Sequence, residues 1–213
     1  MGPPIHATVD LYWIPLGAGD HVVRLCGKAY EAVAARVTRR RSAPLFHTAL
    51  VVAIDGTRWA IESAPIRDDD GPSRGVVAEG PVGIRAAGRL RVFRYEIRRW
   101  RDGVIPDAGE AVGGPVRVAA DAARAERVLE LVASVPTPVW GRDELRAGEM
   151  WNSNSLTSWL LVRAGIDVRA LAPPAEGRAP GWNAGIVVAR RLAVTDAGAR
   201  LPGASGVARI PRR

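Results

Sequence analysis

Three short segments carry the residue types from which a hydrolytic site can be built. Residues 45–52 (L-F-H-T-A-L-V-V) set His47 inside an apolar run. A buried imidazole left without a hydrogen-bond partner costs roughly 1–3 kcal/mol, so His47 needs a partner or a task. Residues 59–65 (W-A-I-E-S-A-P) place Glu62 among apolar neighbours, where a lone carboxylate is expensive. Residues 150–161 (M-W-N-S-N-S-L-T-S-W-L-L) bring Asn152, Ser153, Asn154 and Ser155 to the point where a helix begins. Backbone N–H groups and the helix dipole at such a point stabilise a developing anion. A hydroxyl, an imidazole and a carboxylate are the nucleophile, base and orienting group of a triad. Ser153, His47 and Glu62 are therefore the candidate catalytic residues. Asn152, Asn154 and Trp151 are candidates for lining the cleft or supporting the oxyanion. Each also has a plain structural role open to it: a core histidine bonded to a carbonyl, a cross-strand ion pair for Glu62, ordinary helix capping for residues 152–155.

These residues need elements to position them. Residues 45–54 and 57–64 are extended runs joined by Asp55-Gly56, a strong hairpin signal. With the turn there, Glu62 falls within a residue or two of the position opposite His47, and the two side chains share one face. The hairpin is preceded by a strand over residues 7–16 and by an amphipathic helix over 22–37, with Cys26 on its buried face. Residues 76–82 read as a further strand. Residues 90–100 alternate as an edge or partly covered strand, and 103–115 form a loop. Asp121 caps a helix to about Ser134, and a second helix runs from near Asn152 to Gly165. Residues 182–189 read as a final strand. The whole is a single α+β domain over residues 1–190, with an Arg/Gly/Pro-rich, flexible tail over 191–213.

Composition narrows the function classes. A chain of 213 residues is long enough to bury one core, and 47% hydrophobic with 24% charged residues is ordinary for a globular protein. The lone Cys26 excludes an internal disulfide framework. No apolar run approaches the roughly 18–20 residues of a bilayer span, and no secretory leader is visible at the start, so a cytoplasmic protein is expected. A net charge of +8 invites a nucleic-acid reading. Yet Lys28 is the single lysine, arginine supplies the other 29 basic residues, and the Arg clusters are scattered without interleaved aromatics. Solvated charge explains them better than nucleic-acid binding. Three His and one Cys so dispersed do not suggest a metal, and no cofactor is expected.

The order and content of the three segments resemble the circularly permuted papain-like fold, whose members include the PPPDE peptidases, the lecithin retinol acyltransferase-like proteins and permuted relatives of the NlpC peptidases. His47-Thr48-Ala49 matches the group's "H-T-G/A" strand, and Glu62-Ser63 matches the end of its next strand. Asn152-Ser153-Asn154-Ser155 matches its "N-C-N-S" helix start, with Ser153 where the group has Cys. The resemblance covers roughly residues 45–165. It implies a permuted papain-like (NlpC-like) domain with an antiparallel sheet packed against helices. It also implies hydrolysis or acyl transfer at an amide, thioester or ester bond. A Ser hydroxyl is far less acidic than a thiol, so Ser153 would need concerted help from His47. Three readings of Ser153 stay open: a natural nucleophile, a decayed site, or a deliberate replacement of Cys. Two other functions remain beside the enzyme: a catalytically inactive member that binds a peptide, lipid or cell-wall fragment, and a basic adaptor for acidic partners. Cys26 is a rival nucleophile, but only 21 residues separate it from His47, and an apolar helix face suits an inert thiol.

Overall fold

The Asp55-Gly56 turn forms as the sequence predicts. Both residues take positive φ, 47° and 79°, the left-handed pair that a two-residue hairpin turn demands. It joins β2 (Phe46–Ile54) to β3 (Thr57–Pro65). The structure, a computed structural model, describes residues 6–17, 36, 39, 41–66 and 75–200. The expected helix over 22–37, with Cys26, lies outside the described residues, apart from Arg36.

Around the hairpin, β1 (Ala7–Pro15), β4 (Val76–Pro81), β5 (Arg94–Arg101) and β6 (Val116–Ala119) complete one sheet in the order β4-β5-β3-β2-β1-β6. Every pairing in it is antiparallel. Three α-helices follow among the described residues: α1 (Ala122–Leu131), α2 (Ser153–Arg163) and α3 (Trp182–Arg200). The architecture is thus α+β, with an antiparallel sheet and helices packed on it.

Strand alternation divides the sheet into two unlike faces. Val9, Leu11 and Trp13 of β1, Phe46, Leu50 and Val52 of β2, Ile61 of β3, and Tyr95 and Ile97 of β5 join the main core with residues from all three helices. Trp13 meets Trp182 there, ring centroids 4.9 Å apart. The other face carries a smaller apolar cluster, Ile14, Ala49, Val51 and Ala60, covered by Ile105 from the loop after β5. Both faces of β2 are therefore packed, which accounts for its nearly unbroken apolar sequence.

Several expectations are corrected. Residues 182–189 form the first half of α3, not a strand. The β-branched run Ile186-Val187-Val188 looks extended, but burial falls on Trp182, then Ala184 and Gly185, then Val188 and Ala189, the three-to-four step of a helix. The helix continues to Arg200, so the region after 191 is not a loose tail from its start; residues 201–213 lie outside the described residues. The strand expected over 90–100 begins at Arg94, because residues 91–93 are a short 3-10 turn, and it lies inside the sheet between β4 and β3. β6 had no strand signal in the sequence. It is four residues long and half exposed, and pairing with β1 defines it.

Candidate functional site

His47 sits opposite Ile14 in the β1–β2 ladder, and its neighbour Thr48 sits opposite Trp13. Alternation therefore sends His47 to the face with the smaller cluster and Thr48 to the helix-packed face. One step beyond the Leu50–Ile61 pair, the β2–β3 register sets Glu62 beside Ala49, on the same face as His47. Glu62 lies opposite Arg98 of β5, and Ala64 opposite Glu96, so that both of these charged residues of β5 share this face as well.

What bonds His47 is a residue that the sequence did not point to. Its Nε2 lies 3.0 Å from Asp107 Oδ2 in the loop after β5, with both side chains about one-fifth exposed. Asp107 is carried there by Ile105, buried in the smaller cluster, and by a 3-10 turn over Ala108–Glu110. Val112 N–H donates to Trp13 O at 3.0 Å and ties the far end of the loop to β1. The sequence signal for Asp107 is slight: a half-buried His in a strand demands an acceptor, but nothing marks a loop carboxylate 60 residues away as that acceptor.

Glu62 enters a cross-strand ion pair. Its Oε1 pairs with Arg98 Nη1 at 3.4 Å, while Arg98 also holds Glu96 at 2.8 Å. Arg98 and Glu96 are buried, forming a charged row along the sheet face that runs into the His47–Asp107 pair. Burial pushes the Glu62 carboxyl above its ordinary value; Arg98 pulls it down, Asp107 adds to the rise, and His47 opposes it. Glu62 is thus electrostatically coupled to the imidazole without being its hydrogen-bond partner.

The segment around Ser153 begins α2 as expected, and the side chains of Asn152, Asn154 and Ser155 hold that end of the helix. Asn152 caps it, with its Oδ1 accepting from the N–H groups of Asn154 and Ser155 at 2.9 and 3.4 Å. Ser155 Oγ accepts in return from Asn152 N–H at 3.2 Å, the reciprocal capping box. Asn154 is buried; its Nδ2 donates to Phe46 O and Pro180 O at 3.0 and 2.9 Å, and its Oδ1 accepts from Thr48 Oγ1 at 3.1 Å. Ser155 Oγ donates to Gly181 O at 2.7 Å. Trp151 is buried in the main core. Ser153 is also buried, at the first helical position. No hydrogen bond joins it to His47.

His47, Asp107 and Glu62 thus come together on one side of the sheet, while Asn152 and Asn154 tie the start of α2 to β2 and the 180–181 segment. Among the described residues no group of three or more His, Cys, Asp or Glu side chains is arranged to hold a metal ion, and no helix is long and apolar enough to cross a membrane. What the arrangement can do chemically follows from the tautomer. With Nε2–H donating to Asp107, the remaining lone pair of the imidazole is on Nδ1, which makes Nδ1 the base and the carboxylate its orienting group. No protein family, no curated protein and no solved structure matches this chain.

Proposed function

We propose that the chain is a permuted papain-like hydrolase or acyl transferase, acting at an amide, thioester or ester bond, in which His47 rather than Ser153 is the working centre. The observation that carries this reading is the 3.0 Å bond from His47 Nε2 to Asp107. In the step it supports, Nδ1 takes a proton from a water, or from an acceptor hydroxyl in the transfer reaction, as that oxygen attacks the carbonyl carbon. The imidazolium then returns the proton to the departing nitrogen, sulfur or oxygen. Asp107 holds the ring in place through its bond to Nε2. A cytoplasmic setting belongs to the same reading.

The second reading, a catalytically silent domain that binds a peptide, lipid or cell-wall fragment, rests on a separate observation. The polar side chains of Asn152, Asn154 and Ser155 are all engaged in capping and in cross-links to β2 and the 180–181 segment. A panel of an activated acetyl ester, an S-acetyl thioester and an arylamide separates the two. The proposal expects turnover that falls about 10²–10⁴-fold in His47→Ala, falls in Asp107→Asn, and survives in Ser153→Ala. Loss in Ser153→Ala, together with labelling of Ser153 by a fluorophosphonate, would restore the serine as nucleophile and overturn the water route. A folded protein that turns over none of the three would remove the catalytic reading and leave the silent one.

A further inference from the structure

Of the nine exposed large apolar side chains among the described residues, four fall in one short stretch. Between the end of β4 and the start of β5, Ile84, Leu90, Val92 and Phe93 are 58%, 60%, 54% and 44% exposed. Two 3-10 turns, Arg85–Arg89 and Arg91–Phe93, shape the stretch, and neither buries a single residue. Single exposed apolar side chains are common, but four within ten residues need an explanation.

Their neighbours give the chemistry. Arg85, Arg89, Arg91 and Arg94 are interleaved with them, and residues 82–94 contain no acidic side chain. The guanidinium groups are only partly neutralised from outside the stretch. Arg85 reaches Glu144 and Arg94 reaches Glu79, Arg91 approaches Glu96 only to 3.9 Å, and Arg89 forms no ion pair among the described residues. Arg85, Arg89 and Arg94 also line an open depression of about 390 Å³, together with Glu79, Gly80, Pro81 and Gly88. Apolar tips among arginines, beside a basic hollow large enough for a phosphate group, match a surface that is anionic outside and apolar just beneath.

We infer that residues 84–93 dock the protein on an anionic phospholipid surface, with Ile84, Leu90, Val92 and Phe93 entering the acyl boundary and the arginines meeting headgroup phosphates. Charge complementarity favours a lipid surface over an apolar protein groove, which would have to bury four guanidinium groups. The docking does not use His47 or Asp107, so it stands or falls independently of the proposed function.

The test is co-sedimentation of the full chain with vesicles of phosphatidylcholine alone and of phosphatidylcholine mixed with phosphatidylserine. Binding is expected only to the mixed vesicles. Arg89→Glu is expected to weaken it at least about fivefold, the equivalent of about 1 kcal/mol for one Arg near an anionic surface. Leu90→Asp/Val92→Asp is expected to abolish it. Arg127→Glu, an equal charge change on the exposed face of α1, controls for net charge and is expected to leave binding within twofold. All the substituted side chains but Val92 and Leu90 are charged at the surface, and circular dichroism confirms that each variant is folded. No binding to mixed vesicles overturns the inference. So does equal weakening by Arg127→Glu with no effect of Leu90→Asp/Val92→Asp, since general attraction of a basic protein would then suffice. Binding to a poly-glutamate peptide that Arg89→Glu weakens and Arg127→Glu does not, with no vesicle binding, would assign the patch to an acidic protein partner instead.

Discussion

Asn154, not Ser153, is the residue on which the N-terminal end of α2 depends. Its side-chain amide makes three bonds in a buried setting, to Thr48, Phe46 and Pro180. Asn154→Ala leaves those partners unsatisfied and is expected to cost about 2–4 kcal/mol, whereas Ser153→Ala is expected to cost less than about 1 kcal/mol. Urea unfolding of the two variants checks the order, and equal losses would show that the junction is not built as described. Glu62 yields a second expectation. A carboxyl raised by the fold binds its proton more tightly in the native than in the unfolded chain. Its contribution to stability is therefore full below the unfolded value and is lost as pH rises through the folded one. The stability of Glu62→Gln relative to wild type should accordingly improve as pH climbs from about 4 to about 7. Guanidinium titrations across that range test it, and a difference that does not change with pH would count against the shift. The sequence showed that His47 and Glu62 share a face, because alternation and a two-residue turn fix that much. It did not show Asp107, because a loop residue is brought to a strand by tertiary packing that leaves no periodic trace.

Between elements, α2 and α3 approach closely, and the contact passes over a glycine. A methyl group on Gly185 would collide with the backbone oxygen of Ser155 and with Ser158 Oγ. Ser158 Oγ itself donates to Trp182 O at 2.7 Å, so the two helix surfaces are already bonded at that level. In an unhindered helix, Gly→Ala stabilises by about 0.5–1 kcal/mol. Here Gly185→Ala is expected to destabilise by about 1–3 kcal/mol, because the helices must separate or a backbone must shift. A rise in thermal midpoint for this variant would contradict the packing. Gly185 also masks the helix in the sequence. Within Gly-Ile-Val-Val the β-branched residues suggest a strand, and the glycine suggests a break. Only the partner helix shows that the glycine is a contact point and that the alternate burial has a helical step. β6 was hidden for a related reason: a four-residue edge strand has too few positions to display a period.

At the scale of the molecule, the sheet should open from its ends. β2 and β3 lie inside it with their ladders paired on both sides, whereas β4 and β6 are its margins. Hydrogen exchange is expected to be slowest for the amides of residues 46–54 and 57–65 and faster for β6, whose register also shifts between Val9 and Asp10 of its partner. Exchange of β6 as slow as that of β2 would mean that the sheet opens only as one unit. The α+β class was legible because hairpin, caps and amphipathic helices all announce themselves locally. Which face of the sheet received each chemical group was not, since that depends on the layers the sheet divides.

The two-residue turn at Asp55-Gly56 has an evolutionary corollary. Point substitutions along β3 alter one contact at a time, but inserting or deleting a single residue in the turn would invert β3 against β2. Glu62 would then pass to the helix-packed layer, and Ile61 and Ser63 to the side of His47. Descendants of this chain can therefore vary in the length of loops that carry no site residue while inheriting this one unchanged. A homologue with a turn one residue longer would have to assemble its charged row from different positions.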